Sequence, residues 1–244
     1  MTADVWTAQV AQGYDAASAD VYAPEVLGPT VDFLARRAGD RPALEFGIGT
    51  GRVALPLAAR GVPVAGIELS EPMAAELRRK PGGHAIPVTI GDMATTTAPG
   101  RFGLVYAVYN ALTLLLTQAE QVRCVRNAAA HLEPGGLLVA EVFVPQLQRL
   151  PPGETARPSR VSEHHLVFDV YDVVEQRVTS HHHVVADGRA STFRSPHRYV
   201  WPAELDLMAR LAGLHRTERW AGWTGAPLTA DSASAVSVWQ KPAG

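Results

Sequence analysis

Glu45-Phe46-Gly47-Ile48-Gly49-Thr50-Gly51 carries the strongest structural signal in the chain. It is entered from a short apolar run, Ala43–Phe46, and leaves into a candidate helix, Arg52–Arg60. Three alternating glycines between a strand and a helix are more than a turn requires. Glycine serves where the backbone takes positive φ and where a ligand approaches it closely. At the carboxyl end of a first strand, such a loop lies where open α/β sheets bind nucleotide-like ligands.

Outward from the loop, apolar runs alternate with candidate helices. The runs are Val62–Leu69, Ala85–Ile90, Leu104–Tyr109 and Leu137–Val144; the helices are Glu71–Lys80 and Gln118–Leu132. Near-continuous apolar strands between helices predict a parallel sheet covered on both faces. Ser70-Glu71-Pro72 is a helix start, and Glu133-Pro134-Gly135-Gly136 reads as a helix stop and turn. Residues 1–41 form a helical lead-in, with Tyr14 and Tyr22 in Ala11–Tyr22 and an apolar stripe of Val26, Leu27, Val31, Phe33 and Leu34. Residues 146–163, rich in Pro, Arg and Gly, read as a linker. Residues 164–201 hold the β-rich stretches Val167–Val174, Val178–Val185 and Thr192–Trp201, with a tight turn at Asp187-Gly188. Residues 202–244 return to the first pattern, with a helix at Pro202–Ala212 and strands at Leu214–Trp220 and Ala235–Gln240. The expectation is one α/β domain over residues 1–244. Residues 42–145 are its core, and 164–201 an inserted antiparallel meander serving as lid or dimer surface.

Composition narrows the classes. The 244 residues are 47% hydrophobic and 19% charged, a globular balance. A net charge of −2 argues against bulk electrostatic binding to nucleic acid or anionic membranes. The single cysteine, Cys124, excludes a disulfide framework and a cysteine zinc cluster. The opening MTADVWTAQV has Asp4 and no basic or apolar signal region. The best apolar run, Ala111–Leu116, is far too short to span a bilayer. A soluble cytoplasmic protein is expected.

The loop spacing admits two cofactors. Gly49-x-Gly51-x-x-Ala54 fits the nicotinamide fingerprint, with Glu68 lying 19 residues beyond Gly49. Glu45 stands against that reading, because a carboxylate before the loop repels a pyrophosphate and suits a cofactor with positive groups.

Residues 42–145 resemble class I S-adenosylmethionine-dependent methyltransferases at five ordered points. Leu44–Gly51 is similar to the family's first motif. Gly66-Ile67-Glu68-Leu69-Ser70 is similar to its second and Gly91-Asp92-Met93 to its third. Phe102–Val105 and Leu132–Gly136 resemble the strand and turn that follow. The resemblance implies a Rossmann-like, mostly parallel seven-stranded sheet with helices on both faces, closed by an antiparallel pair. It implies S-adenosylmethionine held by Gly47, Gly49 and Gly51, with Glu68 on the ribose diol and Asp92 near the adenine amine. Met93 packs on the adenine, and Leu69 and Ala107 line the same cleft. Glu45 acts on the methionine end indirectly or caps the loop amides, and Tyr14 reaches back over the cofactor. The position of the meander is similar to that in amino-sugar N-methyltransferases of bacterial natural-product pathways.

Methyl transfer from a sulfonium asks mainly for in-line placement of the acceptor. A hydroxyl acceptor needs a base; a neutral amine does not. Tyr109 and Asn110, after the fourth strand, are expected to face the acceptor. His181 and His183 share one strand face and are candidate bases, with His182 opposite. That alternation keeps the three from meeting on one ion, so no metal site is expected. His164, His165 and His197 on neighbouring stretches extend the idea to a histidine-lined lid. Trp201, Trp220, Trp223 and Trp239 are assigned mainly to packing. The expected activity is direct in-line transfer of a methyl group to nitrogen or oxygen of a small molecule, with nitrogen favoured, and the meander is the surface on which a homodimer is expected. The alternatives are an NAD(P)-dependent oxidoreductase on the same sheet and a non-catalytic cofactor-binding protein.

Overall fold

The computed structural model describes residues 7–186 and 189–243, so Asp4 and the Asp187-Gly188 turn lie outside the described residues. The chain begins with α1 (Ala8–Ala17), a 3-10 turn (Ala19–Tyr22) and α2 (Pro24–Ala38). The core follows as β1 (Ala43–Phe46), α3 (Ala54–Ala59), β2 (Val64–Glu68), α4 (Glu71–Arg79), β3 (Val88–Ile90) and β4 (Phe102–Ala107). A 3-10 turn (Ala111–Leu114), α5 (Gln118–His131) and β5 (Leu132–Phe143) complete it. The insertion holds β6 (Ala156–Val161), β7 (His165–Asp172), β8 (Arg177–Ala186) and β9 (Arg189–Arg198). The chain then closes with α6 (Pro202–Leu211), β10 (His215–Trp220) and β11 (Ser234–Gln240).

The main sheet has seven strands in the order β10-β11-β5-β4-β1-β2-β3. Strands β1 to β5 run parallel, and β11 is antiparallel to both of its neighbours, β5 and β10. The order reverses between β1 and β4, which opens a crevice at their carboxyl ends. Alternate strand residues feed two cores. One packs Leu44, Phe46, Val105 and Leu138 against α5 and α6, and the other packs Ala43, Leu104, Tyr106 and Val139 against α2 and α3. Local chemistry fixes the helix ends. Ser70 accepts from the Met73 N–H, and Thr117 and Glu120 form a reciprocal capping box at the start of α5.

Three expectations change. The lead-in helix stops at Ala17, where Ser18 turns the chain into the 3-10 segment. Leu132–Gly136 belongs to β5, its irregularity absorbed as a register shift against β4 between Phe102 and Leu104. The presumed linker contains β6, so the insertion is a four-stranded sheet ordered β6-β7-β8-β9. Pro158 is tolerated there because β6 is an edge strand with a bulge between Pro158 and Arg160.

Candidate active site

All three loop glycines have positive φ: +72° at Gly47, +56° at Gly49 and +82° at Gly51. A Cβ on Gly51 would stand 2.3 Å from Leu77 Cδ1, so this residue is fixed by packing on α4 as well as by conformation. Glu68, at the end of β2, closes the loop from the side. Its Oε2 accepts from Gly49 N–H at 2.8 Å and its Oε1 from Ser70 N–H at 2.9 Å. Burial pushes its pKa up, and the amides of Ser70, Gly49 and Leu69 oppose that rise. A carboxylate has about four lone-pair sites, so acceptors remain for a diol. The open glycine backbone and this acceptor fit the cofactor that the sequence motifs imply.

Glu45 is buried on β1 beside its β4 neighbour Tyr106, whose Oη donates to Glu45 Oε2 at 2.9 Å. Burial pushes the Glu45 carboxyl up to about 8. Such a group keeps its proton in the folded protein at pH values where the unfolded chain has lost it. Its contribution to stability therefore falls as pH rises from the ordinary carboxyl value of 4.5 toward 8. Glu45→Gln is expected to flatten that decline, read as urea midpoints measured across this pH window.

Asp92 caps its own loop, its Oδ1 accepting from Ala94 N–H at 2.8 Å. Met93 and Ala107 are buried, and Leu69 is half-buried beside Glu68. The N-terminal segment clasps the loop. Thr50 donates to Asp15 Oδ1 at 2.6 Å and shares a 2.9 Å bond with Tyr22; Lys80 donates to the Thr50 carbonyl at 2.7 Å and pairs with Asp15. This clasp sets Tyr14 among Tyr109, Arg52 and Glu68, where burial first and Tyr109 second push its phenol up to about 12. Tyr14 is therefore protonated near neutrality.

Beyond β4, Tyr109 (φ +51°) and Asn110 (φ +63°) are consecutive left-handed residues. Such positions cost about 1–3 kcal/mol each and persist only where the surroundings over-determine them. Here Glu141 Oε2 accepts from Tyr109 N–H at 2.6 Å, and Asn110 Oδ1 accepts from Phe143 N–H at 2.6 Å. Glu141 Oε1 also takes the Trp223 indole N–H at 2.9 Å. The Arg52 guanidinium lies 5.0 Å from the Tyr109 ring centre. Glu141 is absent from the sequence-based set; its only signal was a lone carboxylate inside the apolar run Leu137–Val144.

The histidine expectation is corrected. Strand pairing puts His182 opposite buried Val167, on the inner face of the four-stranded sheet. His181 and His183 stand on the outer face with exposed Phe168, turned away from Tyr109 and Asn110. The inner face instead carries His165 and His182, bonded at 3.0 Å between Nε2 and Nδ1, and His197, whose Nδ1 lies 2.9 Å from Thr113 Oγ1. Among the described residues, no group of three or more His, Cys, Asp or Glu is placed to hold a metal ion. No described helix is long and apolar enough to cross a membrane. Of the tryptophans, Trp239 is in the core and Trp201 is exposed.

A methyltransferase-domain family model matches residues 43–136, the span from β1 through the Gly135-Gly136 bend. The CcbJ methyltransferase from Streptomyces caelestis superposes with a TM-score of 0.80 at 38% identity, over 88% of this chain and 89% of that one. The chain belongs to the S-adenosylmethionine-dependent methyltransferases. The SAM-bound CalS10 from Micromonospora echinaspora is an amino pentose methyltransferase involved in calicheamicin biosynthesis. It matches this methyltransferase with a TM-score of 0.71 at 25% identity, over 93% of this chain and 96% of that one. A cypemycin N-terminal methyltransferase from a Streptomyces species is 28% identical over 240 residues, 93% of this chain and 97% of that one. Membership of this family sets aside the nicotinamide alternative.

Proposed function

We propose that this methyltransferase transfers a methyl group from S-adenosylmethionine to the amine nitrogen of a small natural-product intermediate. The observation that carries the cofactor assignment is Glu68, bonded to the glycine loop and keeping free acceptor capacity at its mouth. Gly47, Gly49 and Gly51 would lie under the cofactor. Leu69, Asp92, Met93 and Ala107 would line its adenosine side, and Glu45 and Tyr14 its methionine side. The cofactor supplies an already activated methyl group, so the chain has to orient the acceptor and exclude water.

Nitrogen is favoured because, among the described residues, no group beside Tyr109 and Asn110 is set up as a strong base. Tyr14 holds its proton, and Glu141 is engaged by Tyr109 and Trp223. Tyr109, Asn110 and Tyr14 are therefore assigned to acceptor placement. The relatives' amino-pentose and N-terminal acceptors are consistent with an amine. The whole chain would act as a single cytoplasmic domain. Self-association would use the outer face of the four-stranded sheet, where Leu166, Phe168 and Val170 are exposed. Light scattering that finds only monomer at high concentration would remove the dimer.

The decisive experiment is calorimetric titration with S-adenosylhomocysteine, with NADH and NADPH run in parallel. Micromolar binding of the homocysteine compound alone is expected, followed by turnover in an acceptor screen begun with amino sugars. Binding of a nicotinamide cofactor instead would overturn the assignment. Tight S-adenosylhomocysteine binding without turnover of any acceptor would point to the non-catalytic alternative.

A further inference from the structure

We propose that His197 is a positioning residue: through Thr113 it fixes the left-handed Tyr109–Asn110 turn from the inserted sheet. This rests on the reading of that turn as the acceptor side of the site. The direction of each bond can be deduced. Thr113, in the 3-10 turn Ala111–Leu114, has one hydroxyl proton and donates it to the Asn110 carbonyl at 2.7 Å. Towards His197 Nδ1, at 2.9 Å, Thr113 Oγ1 can only accept. The proton of the ring therefore sits on Nδ1. A neutral ring then leaves Nε2 bare, and Nε2 accepts from the Ser195 hydroxyl at 2.8 Å. The relay runs Ser195 to His197 to Thr113 to the Asn110 carbonyl, all donors pointing one way.

The surroundings keep this ring neutral. Phe143 meets it edge-on with ring centres 6.2 Å apart. The titratable groups facing it are Asp169 on β7 and His182 on β8, and neither is hydrogen-bonded to it. Burial pushes its pKa down to about 4. With both nitrogens occupied, His197 is poorly suited to act as a base on substrate, and its place at the inner face gives it a different role. β5 of the main sheet holds the turn through Glu141 and Phe143. The Thr113–His197 bond is a polar link by which the inserted sheet holds it. The insertion thus takes part in setting the acceptor geometry, in addition to covering it.

The test uses the full chain labelled with 15N-histidine and amide 15N. The expected His197 signature is the neutral tautomer protonated on Nδ1, retained down to mildly acid pH. Thr113→Val should abolish that tautomer preference and speed amide exchange at Tyr109 and Phe143 at least tenfold; Thr113→Ser should restore both. S-adenosylhomocysteine affinity should stay within twofold in both variants. For any amine that the wild type methylates, kcat/KM should fall at least tenfold in Thr113→Val and recover in Thr113→Ser. A ring protonated on Nε2, or unchanged amide exchange in Thr113→Val, overturns the relay. Loss of S-adenosylhomocysteine affinity in a folded Thr113→Val variant also overturns it, because the relay would then serve the cofactor loop. If the wild type itself fails to bind that compound, the cofactor reading falls, and the tautomer and exchange signatures still decide the relay.

Discussion

Glu68→Ala is expected to weaken S-adenosylhomocysteine binding at least tenfold while leaving a folded protein. The carboxylate stands between two N–H groups of the chain and the space above the glycine loop. Hydrogen bonds to a charged group are worth about 1.5–3 kcal/mol each, and tenfold in affinity is about 1.4 kcal/mol. Losing one contact to the ribose diol therefore suffices for the effect. The substitution also strips Gly49 N–H and Ser70 N–H of their acceptor, so some fall in stability accompanies it. Glu68→Gln separates the two consequences, because an amide oxygen can still cap one N–H but offers fewer acceptor sites to a diol. The expected ranking in calorimetric titration is wild type, then Gln, then Ala. Unchanged affinity in a folded Glu68→Ala protein would remove this residue from the cofactor site.

The largest stability effect is expected at Arg198. Its guanidinium donates to Gln121 Oε1 at 2.5 Å, to Gln176 Oε1 at 2.9 Å and to Glu204 Oε1 at 2.9 Å. The Arg198 side chain is 6% exposed and that of Glu204 16%. Removing one partner of a buried pair leaves the other charge uncompensated and costs about 3–5 kcal/mol. Arg198→Met should therefore lower unfolding stability by about that amount in urea titration. Arg198 and Gln176 belong to the inserted sheet and its turn, whereas Gln118, Gln121 and Glu204 belong to α5 and α6. The lost hub should also loosen the insertion, seen as faster proteolysis within residues 156–198. Adding Glu204→Gln should recover part of the loss. Burial raises the Glu204 pKa, but the bonds from Gln118, Gln176 and Arg198 outweigh it, and the net shift is downward. A depressed carboxyl adds stability that is lost as pH falls through its folded value. Wild type should thus show an acid-side decline that the double variant lacks. A loss below about 1 kcal/mol in Arg198→Met would mean that the hub contributes no more than a surface pair.

The cofactor half of the site is legible in the sequence because its geometry needs residue types that leave a mark. Gly47, Gly49 and Gly51 are where the backbone turns to positive φ, and Glu68 ends the strand that flanks them. The acceptor half leaves weaker marks. Alternation says that His181 and His183 share a face, but only the pairing with Val167 says that His182 faces inward. β6 hides as a linker because, as an exposed edge, it shows no alternation of polar and apolar residues. Asn110 is a natural left-handed residue, whereas Tyr109 is not, and its conformation follows from Glu141, far away in sequence. Lys80 and Asp15 meet only because α4 ends beside α1, a tertiary fact that no local spacing encodes.

The place of β11 has a consequence for how the protein is made. It lies between β5 and β10, bonded to both, and is the last of the described strands. During synthesis the parallel half can assemble as far as β5, but the outer edge of β5 stays open until Ser234–Gln240 arrives. The whole four-stranded sheet and α6 are threaded between those two events. An exposed strand edge is a template for mispairing, and closure by so distant a segment is slow. The nascent chain thus passes through a stage in which its central sheet lacks β11 and, with it, the β10 that pairs through it. The sheet is then two strands short and adhesive, so expression yield and chaperone dependence should respond more sharply to changes in β11 than to changes in β3.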